Sequence, residues 1–181
     1  GVNPNSSGLI DVDKKIQTSC PDVYAVGDVI KGPMLAHKAE EEAVAVVEMI
    51  AGQTSHLDYN LIPSVIYTNP EVASVGYSEE QLKKNNIEYK VGKFPFLANS
   101  RARATNNTEC IVKILADKKT DRVLGAHIIG FEAGTLIAEI VALMEFGGAA
   151  EDIARTIHAH PTLNEAIKEA SLAVDRRTIN I

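Results

Sequence analysis

The chain has 181 residues, a length that suits one domain or one small domain joined to part of another, and 45% of its residues are hydrophobic, as expected for a folded protein. The net charge of −6, without a basic stripe, excludes the electrostatic footprint of a nucleic-acid-binding protein. The richest apolar run, "GTLIAEIVALMEFGG", is interrupted by Glu139 and Glu145 and falls short of the roughly 20 apolar residues of a membrane-spanning helix.

The first part of the chain carries two short apolar runs and one long helical pattern. "GLIDV" (8–12) and "VYAV" (23–26) are bounded by turn formers and are predicted to be strands. After Pro33, "MLAHKAEEEAVAVVEMIAG" has apolar spacing near 3.6 and predicts a helix with Gly52 just past its end. The polar stretch "QTSHLDYN" then marks a domain boundary, which we place between residues 58 and 59.

The remaining residues, 59–181, have the pattern of an α+β domain. "PSVIYT", "VASVGY" and "EYKVGKFPF" are predicted strands, and Ser78 begins a capping box into a short helix, "SEEQLKKNN". "LANSRARATNNTE" is predicted to be a loop. The two runs that follow it, "CIVKILA" and "VLGAHIIG", are separated by a polar turn and predict an antiparallel hairpin.

A predicted helix over residues 132–146 has a wide apolar face made of two stripes. One stripe would cover a sheet, and the other would meet either a second internal element or a second subunit. The sequence leaves both alternatives open, and the two stripes are Leu136, Ile140 and Leu143, and Ile137, Val141 and Met144. Two further helices, "AAEDIARTI" and "EAIKEASLAVDRR", flank the segment "HAHPTLNEA".

The segment "HAHPTLNEA" has three possible interpretations. Thr162-x-x-Glu165 is a capping box, which spacing alone favours but which leaves the two histidines unexplained. A metal site would need three or four convergent ligands, and alternating histidines in an extended chain point to opposite faces, so none is predicted. In the third interpretation, Glu165 accepts a hydrogen bond from His160, fixes its tautomer and suits the ring to acid–base catalysis.

A second candidate site is "YAVGDVIKGPMLAHKA", residues 24–39. Gly27 lets a ligand approach the backbone, and Asp28 can accept a hydrogen bond from a sugar-type hydroxyl. The helix that begins near Met34 offers free amides to an anionic or carbonyl-bearing ligand. Taken alone, however, a Gly-Asp pair after a strand more commonly forms a turn.

Together these segments carry a specific family resemblance. "TSCPDVYAVGDVIKGPMLAHKAEEEA", "PSVIYTNPEVASVG", "KVGKFPFLANSRA" and "HAHPTLNEA" resemble, in the same order, the C-terminal part of the pyridine nucleotide-disulfide oxidoreductases, and among them the dihydrolipoyl dehydrogenases. The resemblance implies that residues 1–58 are the C-terminal segment of an α/β FAD-binding domain. It also implies that residues 59–181 are an interface domain, an antiparallel β-sheet with helices that forms a homodimer.

The resemblance assigns roles to individual residues. It implies that His160 is the acid–base catalyst, that Glu165 orients it, and that the pair reaches the active site of the opposite subunit. His158 would either line the substrate channel or hold the backbone, and we prefer the structural role. Asp28 would bind the ribitol of FAD, and the flavin edge would face the backbone of Met34, Leu35, Ala36 and His37.

The implied activity is the reoxidation of dihydrolipoamide to lipoamide with NAD⁺ as co-substrate and FAD as cofactor. The implied partners are the lipoyl domains of the acyltransferase and the core of a 2-oxo acid dehydrogenase complex. Such a protein would work in the mitochondrial matrix or the bacterial cytoplasm.

The chain also departs from the family pattern. It contains no G-x-G-x-x-G motif. It also contains no C-x-x-x-x-C redox pair, because its only cysteines, Cys20 and Cys110, lie far apart. It opens without Met and is interpreted as a piece of a longer polypeptide. We therefore expect the isolated chain to be inactive and to bind FAD weakly or not at all. The alternatives are an autonomous dimerisation module and another disulfide reductase of the same family.

Overall fold

The computed structural model describes all 181 residues and divides into two compact units, residues 1–62 and 63–181. The first unit contains one helix, α1 (Ala36–Ile50), and two short 3₁₀ turns, Gly27–Val29 and Tyr59–Leu61. Helix α1 begins two residues later than the predicted start, because Leu35 is still extended.

The end of α1 confirms the predicted role of Gly52. This glycine has a φ of +75°, in the left-handed region. Its N–H donates to the Met49 carbonyl at 3.0 Å, and the Gln53 N–H donates to the Glu48 carbonyl at 2.8 Å. The pair of bonds is a Schellman motif, which satisfies carbonyls that the helix end leaves unpaired.

The strands predicted at residues 8–12 and 23–26 are wrong. The first unit forms only an isolated antiparallel bridge between Gln17 and Tyr24. A strand needs a neighbour that pairs with its backbone along several residues, and this unit supplies none. Most apolar side chains of the two runs instead pack around a small cluster of Ile16, Ile30 and Val46. The apolar pattern therefore indicated burial rather than strand structure.

The second unit confirms the α+β prediction. Its five strands form one antiparallel sheet in the order β1-β2-β5-β4-β3, and β4 and β5 form the predicted hairpin. The strands are β1 (Ser64–Ile66), β2 (Glu71–Gly76), β3 (Tyr89–Pro95), β4 (Ile111–Asp117) and β5 (Val123–Gly130). The helices are α2 (Glu79–Lys84), α3 (Ser100–Ala104), α4 (Ala133–Glu145), α5 (Ala150–Arg155) and α6 (Glu165–Ala173).

Two short helices show how local polar residues set element ends. The capping box of α2 is confirmed: Ser78 Oγ accepts from the Gln81 N–H at 3.3 Å, and Gln81 Oε1 accepts from the Ser78 N–H at 2.8 Å. The loop predicted at residues 97–109 is wrong in its first half, which forms α3. Asn99 causes this, because its Oδ1 accepts from the Ala102 N–H at 2.9 Å and caps the helix.

Helices α4 and α6 pack on one face of the sheet and form the core with it. Both predicted stripes of α4 contribute to the core, and each also reaches the surface of the unit. The buried residues are Leu136, Ile137, Ile140 and Met144, and the half-buried ones are Val141 and Leu143. None of the helices combines the length and apolar character needed to cross a bilayer.

Candidate functional site

The segment 158–166 connects α5 to α6, and Glu165 is the first residue of α6. Both oxygens of the Glu165 carboxylate face the ring of His160. Oε1 lies 2.9 Å and Oε2 3.2 Å from Nδ1 of His160, and Oε2 also accepts from the Thr162 N–H at 2.8 Å. One carboxylate therefore fixes the histidine ring and also ties down the chain before the helix.

The capping box predicted for this segment is half formed. Glu165 accepts from the backbone of Thr162, as the motif requires. The Thr162 hydroxyl, however, donates to the Ala159 carbonyl at 2.8 Å, and Asn164 is the residue at the N-cap. The cap and the acid–base pair are thus not exclusive interpretations, because Glu165 makes both sets of contacts.

The electrostatics of the pair favour an ionised Glu165. Burial is the largest influence and opposes ionisation. The hydrogen bonds from Thr162 and His160, with the charges of His160 and His158, outweigh burial and lower the pKa of Glu165 below its ordinary value. The His160 side chain is 67% exposed. Because Glu165 engages Nδ1, Nε2 is the ring nitrogen available to a reactant.

His158 lies in a different environment from His160. Its side chain is only 7% exposed, and Nε2 lies 2.8 Å from Oε1 of Glu139 on α4. Its Nδ1 lies 3.0 Å from the Thr156 carbonyl. The two histidines have separate carboxylate partners, and no group of three or more His, Cys, Asp or Glu side chains is arranged to hold a metal ion.

A small cavity of about 70 Å³ adjoins the pair and is lined by residues that sequence reasoning missed. Asn99 lies there, and its Nδ2 donates to the Thr162 carbonyl at 2.9 Å. Glu169, one helical turn after Glu165, is buried and accepts from the Ile179 N–H and from Nδ2 of Asn180. In the sequence, only the i,i+4 spacing of Glu165 and Glu169 indicated that Glu169 lies on the same side of α6 as Glu165.

The second candidate site, residues 24–39, is organised by a buried ion pair. Lys38 and Glu42 of α1 lie 3.0 Å apart with fully buried side chains. Glu42 Oε2 accepts from the Gly27 N–H at 2.7 Å, and Lys38 Nζ donates to the Gly27 carbonyl at 3.2 Å. Tyr59 also donates to Glu42, at 2.9 Å. Both polar groups of one glycine are therefore fixed by α1.

This arrangement places the predicted ligand-binding residues at the surface of the first unit. Asp28 follows the fixed glycine and is exposed, and so are Met34, Ala36 and His37, while Leu35 is half-buried. The helix starts at Ala36, and its first backbone bond to the preceding turn is made by Ala39. Amides of the first turn are thus not used within the helix.

Comparisons with known proteins agree on one family. Residues 62–171 match the model of the pyridine nucleotide-disulphide oxidoreductase dimerisation domain, and residues 1–43 match that of the pyridine nucleotide-disulphide oxidoreductases. The chain is 57% identical to the mitochondrial dihydrolipoyl dehydrogenase of Caenorhabditis elegans, covering 95% of this chain and 35% of that protein. It is 60% identical to that of Sus scrofa, covering 96% and 34%. The chain thus spans about a third of the length of these relatives.

Solved structures share the fold at lower identity. LpdA from Mycobacterium tuberculosis matches with a TM-score of 0.89 at 23% identity, covering 94% of this chain and 38% of that one. The Cu(II) complex of the HOCl-induced flavoprotein disulfide reductase RclA from Escherichia coli matches with a TM-score of 0.85 at 26% identity, covering 94% and 39%.

Proposed function

Because the chain belongs to the pyridine nucleotide-disulphide oxidoreductase family, we propose that it is the C-terminal part of a dihydrolipoyl dehydrogenase. Residues 1–58 would complete an FAD-binding domain, and residues 59–181 would form the interface domain of a homodimer. The observation that carries the proposal is the exposed His160, held by Glu165 through Nδ1 at 2.9 Å. The identity of 55–60% to dihydrolipoyl dehydrogenases over nearly the whole chain supports the choice of substrate.

The histidine–glutamate pair would act as an acid–base catalyst on a thiol. A thiol must lose its proton before its sulfur can attack a disulfide, since the thiolate is the nucleophile. Nε2 of His160 would take the proton of dihydrolipoamide. Glu165 would hold the ring proton on Nδ1, so that Nε2 is free to accept the proton of the thiol, and it would stabilise the imidazolium that results. The lowered pKa of Glu165 supports this role, because the carboxylate remains charged near neutral pH.

The disulfide attacked by the thiolate would lie in the part of the enzyme outside this chain, in the opposite subunit. FAD, when bound, would supply the transfer of two electrons onward to NAD⁺. The exposed Asp28 has the chemistry to accept a hydrogen bond from a ribitol hydroxyl. The amides at the start of α1 would face the flavin edge through the backbone of Met34, Leu35, Ala36 and His37. The isolated chain would bind FAD weakly or not at all.

The proposed partners follow from the same assignment. They are a second copy of the chain, the lipoyl domains of an acyltransferase and the core of a 2-oxo acid dehydrogenase complex. The mitochondrial names of the relatives support a matrix location, with the bacterial cytoplasm as the alternative. The likeness to RclA favours a second candidate function, a flavoprotein reductase of the same family that acts on another disulfide.

The test is the turnover of dihydrolipoamide with NAD⁺ by the full-length protein that contains this chain. His160→Gln should lower kcat by about 10²–10⁴-fold, the usual contribution of a positioned acid–base group. Reduction of an artificial acceptor by NADH needs no thiol deprotonation and should persist. His56→Gln is the control for loss of an imidazole elsewhere. Unchanged dihydrolipoamide turnover in His160→Gln would contradict the proposal.

A further inference from the structure

Glu139, a residue of helix α4, contacts the segment that carries His160 on both sides of this histidine. Its Oε1 lies 2.8 Å from Nε2 of His158, and its Oε2 accepts from Nδ2 of Asn164 at 2.7 Å. His158 is two residues before His160, and Asn164 directly precedes Glu165. The two oxygens of a single carboxylate therefore tie the flanks of the acid–base pair to the domain core.

A second layer of contacts holds His158 itself. Its Nδ1 lies 3.0 Å from the Thr156 carbonyl, and Lys168 Nζ donates to the same carbonyl at 2.9 Å. The neighbours of the two ring nitrogens, a carboxylate on one side and a carbonyl on the other, fix the orientation of the buried ring.

We propose that Glu139 is a positioning residue for the proposed acid–base pair, acting through His158 and Asn164. The inference rests on the proposed function for its catalytic consequence, but not for its geometry. Without the carboxylate, the chain before His160 and the residue before Glu165 each lose a fixed acceptor. The bond from Asn99 to the Thr162 carbonyl and the buried side chain of Leu163 would still hold the middle of the segment. The separation between Nδ1 of His160 and the Glu165 carboxylate would then vary.

The first test reads the histidine tautomer in this chain and needs no catalysis. Long-range ¹H–¹⁵N correlation spectra at alkaline pH distinguish a neutral ring protonated at Nδ1 from one protonated at Nε2. In the unmodified chain, the Glu165 bond should select the Nδ1–H tautomer of His160. Glu139→Gln should shift His160 toward a mixture of both forms. Glu145→Gln removes the same charge from the same helix and should leave the tautomer unchanged.

The second test measures kinetics in the full-length protein. Glu139→Gln should lower kcat for dihydrolipoamide by about 10–100-fold with a small change in KM, as expected when a group that orients a catalytic residue is lost. Glu139→Asp keeps the charge and should retain more activity than Glu139→Gln. Reduction of an artificial acceptor by NADH should stay within about twofold of the unmodified enzyme.

The outcomes separate the inference from the proposed function. If Glu139→Gln leaves both the tautomer and kcat unchanged, Glu139 does not position the pair. If it abolishes hydrogen-exchange protection across the sheet, or if Glu139→Asp is as impaired as Glu139→Gln, its role is structural and the inference is overturned. If His160→Gln retains dihydrolipoamide turnover, the proposed function fails, whereas the tautomer shift still decides whether Glu139 holds the ring.

Discussion

The buried pair of Lys38 and Glu42 offers a sharp test of how the first unit is held together. Lys38→Met removes the cation and leaves a carboxylate in the interior with two hydrogen bonds, from Gly27 and Tyr59, but no charge partner. It also removes one of the two donors to the Gly27 carbonyl and leaves only the Ile30 N–H, at 3.2 Å. Breaking a buried ion pair on one side costs about 3–5 kcal/mol, because the remaining charge is uncompensated.

In a double-mutant cycle, a substitution of Glu42 should restore part of the stability that Lys38→Met removes. Glu42→Gln on the Lys38→Met background removes the isolated charge, and the amide oxygen can still accept from the Gly27 N–H. We expect a recovery of about 0.5–3 kcal/mol, the range of coupling energies between residues in one network. Replacing Glu42 alone should instead destabilise the unit, since it isolates the lysine.

Hydrogen exchange of α1 amides, followed by mass spectrometry, measures the opening free energy of the first unit, with β4 and β5 peptides as internal reference. Strictly additive effects of the two substitutions, or a loss below about 1 kcal/mol for Lys38→Met, would refute the reasoning that an uncompensated charge sets the cost.

Three further predictions concern packing and titration. Gly92→Ala places a methyl group on β3 against the backbone of α6, and no side-chain rotation relieves this clash. Urea unfolding should therefore show a loss of about 3 kcal/mol in the free energy of unfolding. In the control, Gly52→Ala, the added methyl group meets no atom within 4 Å, so the loss should be only about 1–2 kcal/mol, for the left-handed φ. Burial, and then the charge of a neighbouring lysine, lower the pKa of His127 below 6.5, so the unfolded state binds protons more readily and stability falls as the pH drops below this value. His127→Val should make the urea midpoint less sensitive to pH between about 7.5 and 5.5. Burial, followed by the hydrogen bond and charge of Glu42, raises the pKa of Tyr59 to about 12, and Glu42→Gln should lower it in an ultraviolet titration referenced to Tyr59→Phe.

The sequence predicted elements whose signals are local and missed those that depend on distant partners. The capping box at Ser78 and the glycine at 52 were readable because donor and acceptor lie within a few residues. The strands expected at residues 8–12 and 23–26 failed because strand formation depends on a pairing partner that apolar spacing does not reveal. Within the site, spacing left three interpretations of the segment open, and the family resemblance selected the pairing of His160 with Glu165. Glu139 lies 19 residues before His158, and nothing in the sequence connects the two.

Both candidate sites follow the same physical design. In the first unit, Glu42 is buried in α1 and fixes the backbone of Gly27, which leaves the adjacent Asp28 exposed. In the second, Glu139 and Glu165 fix the chain around His160, which leaves its ring exposed. A helix carboxylate with two oxygens can satisfy two donors at once, so it holds an irregular segment without the ladder of bonds that a strand would need. The exposed group is then held in a nearly fixed position, and a fixed position favours both ligand binding and proton transfer.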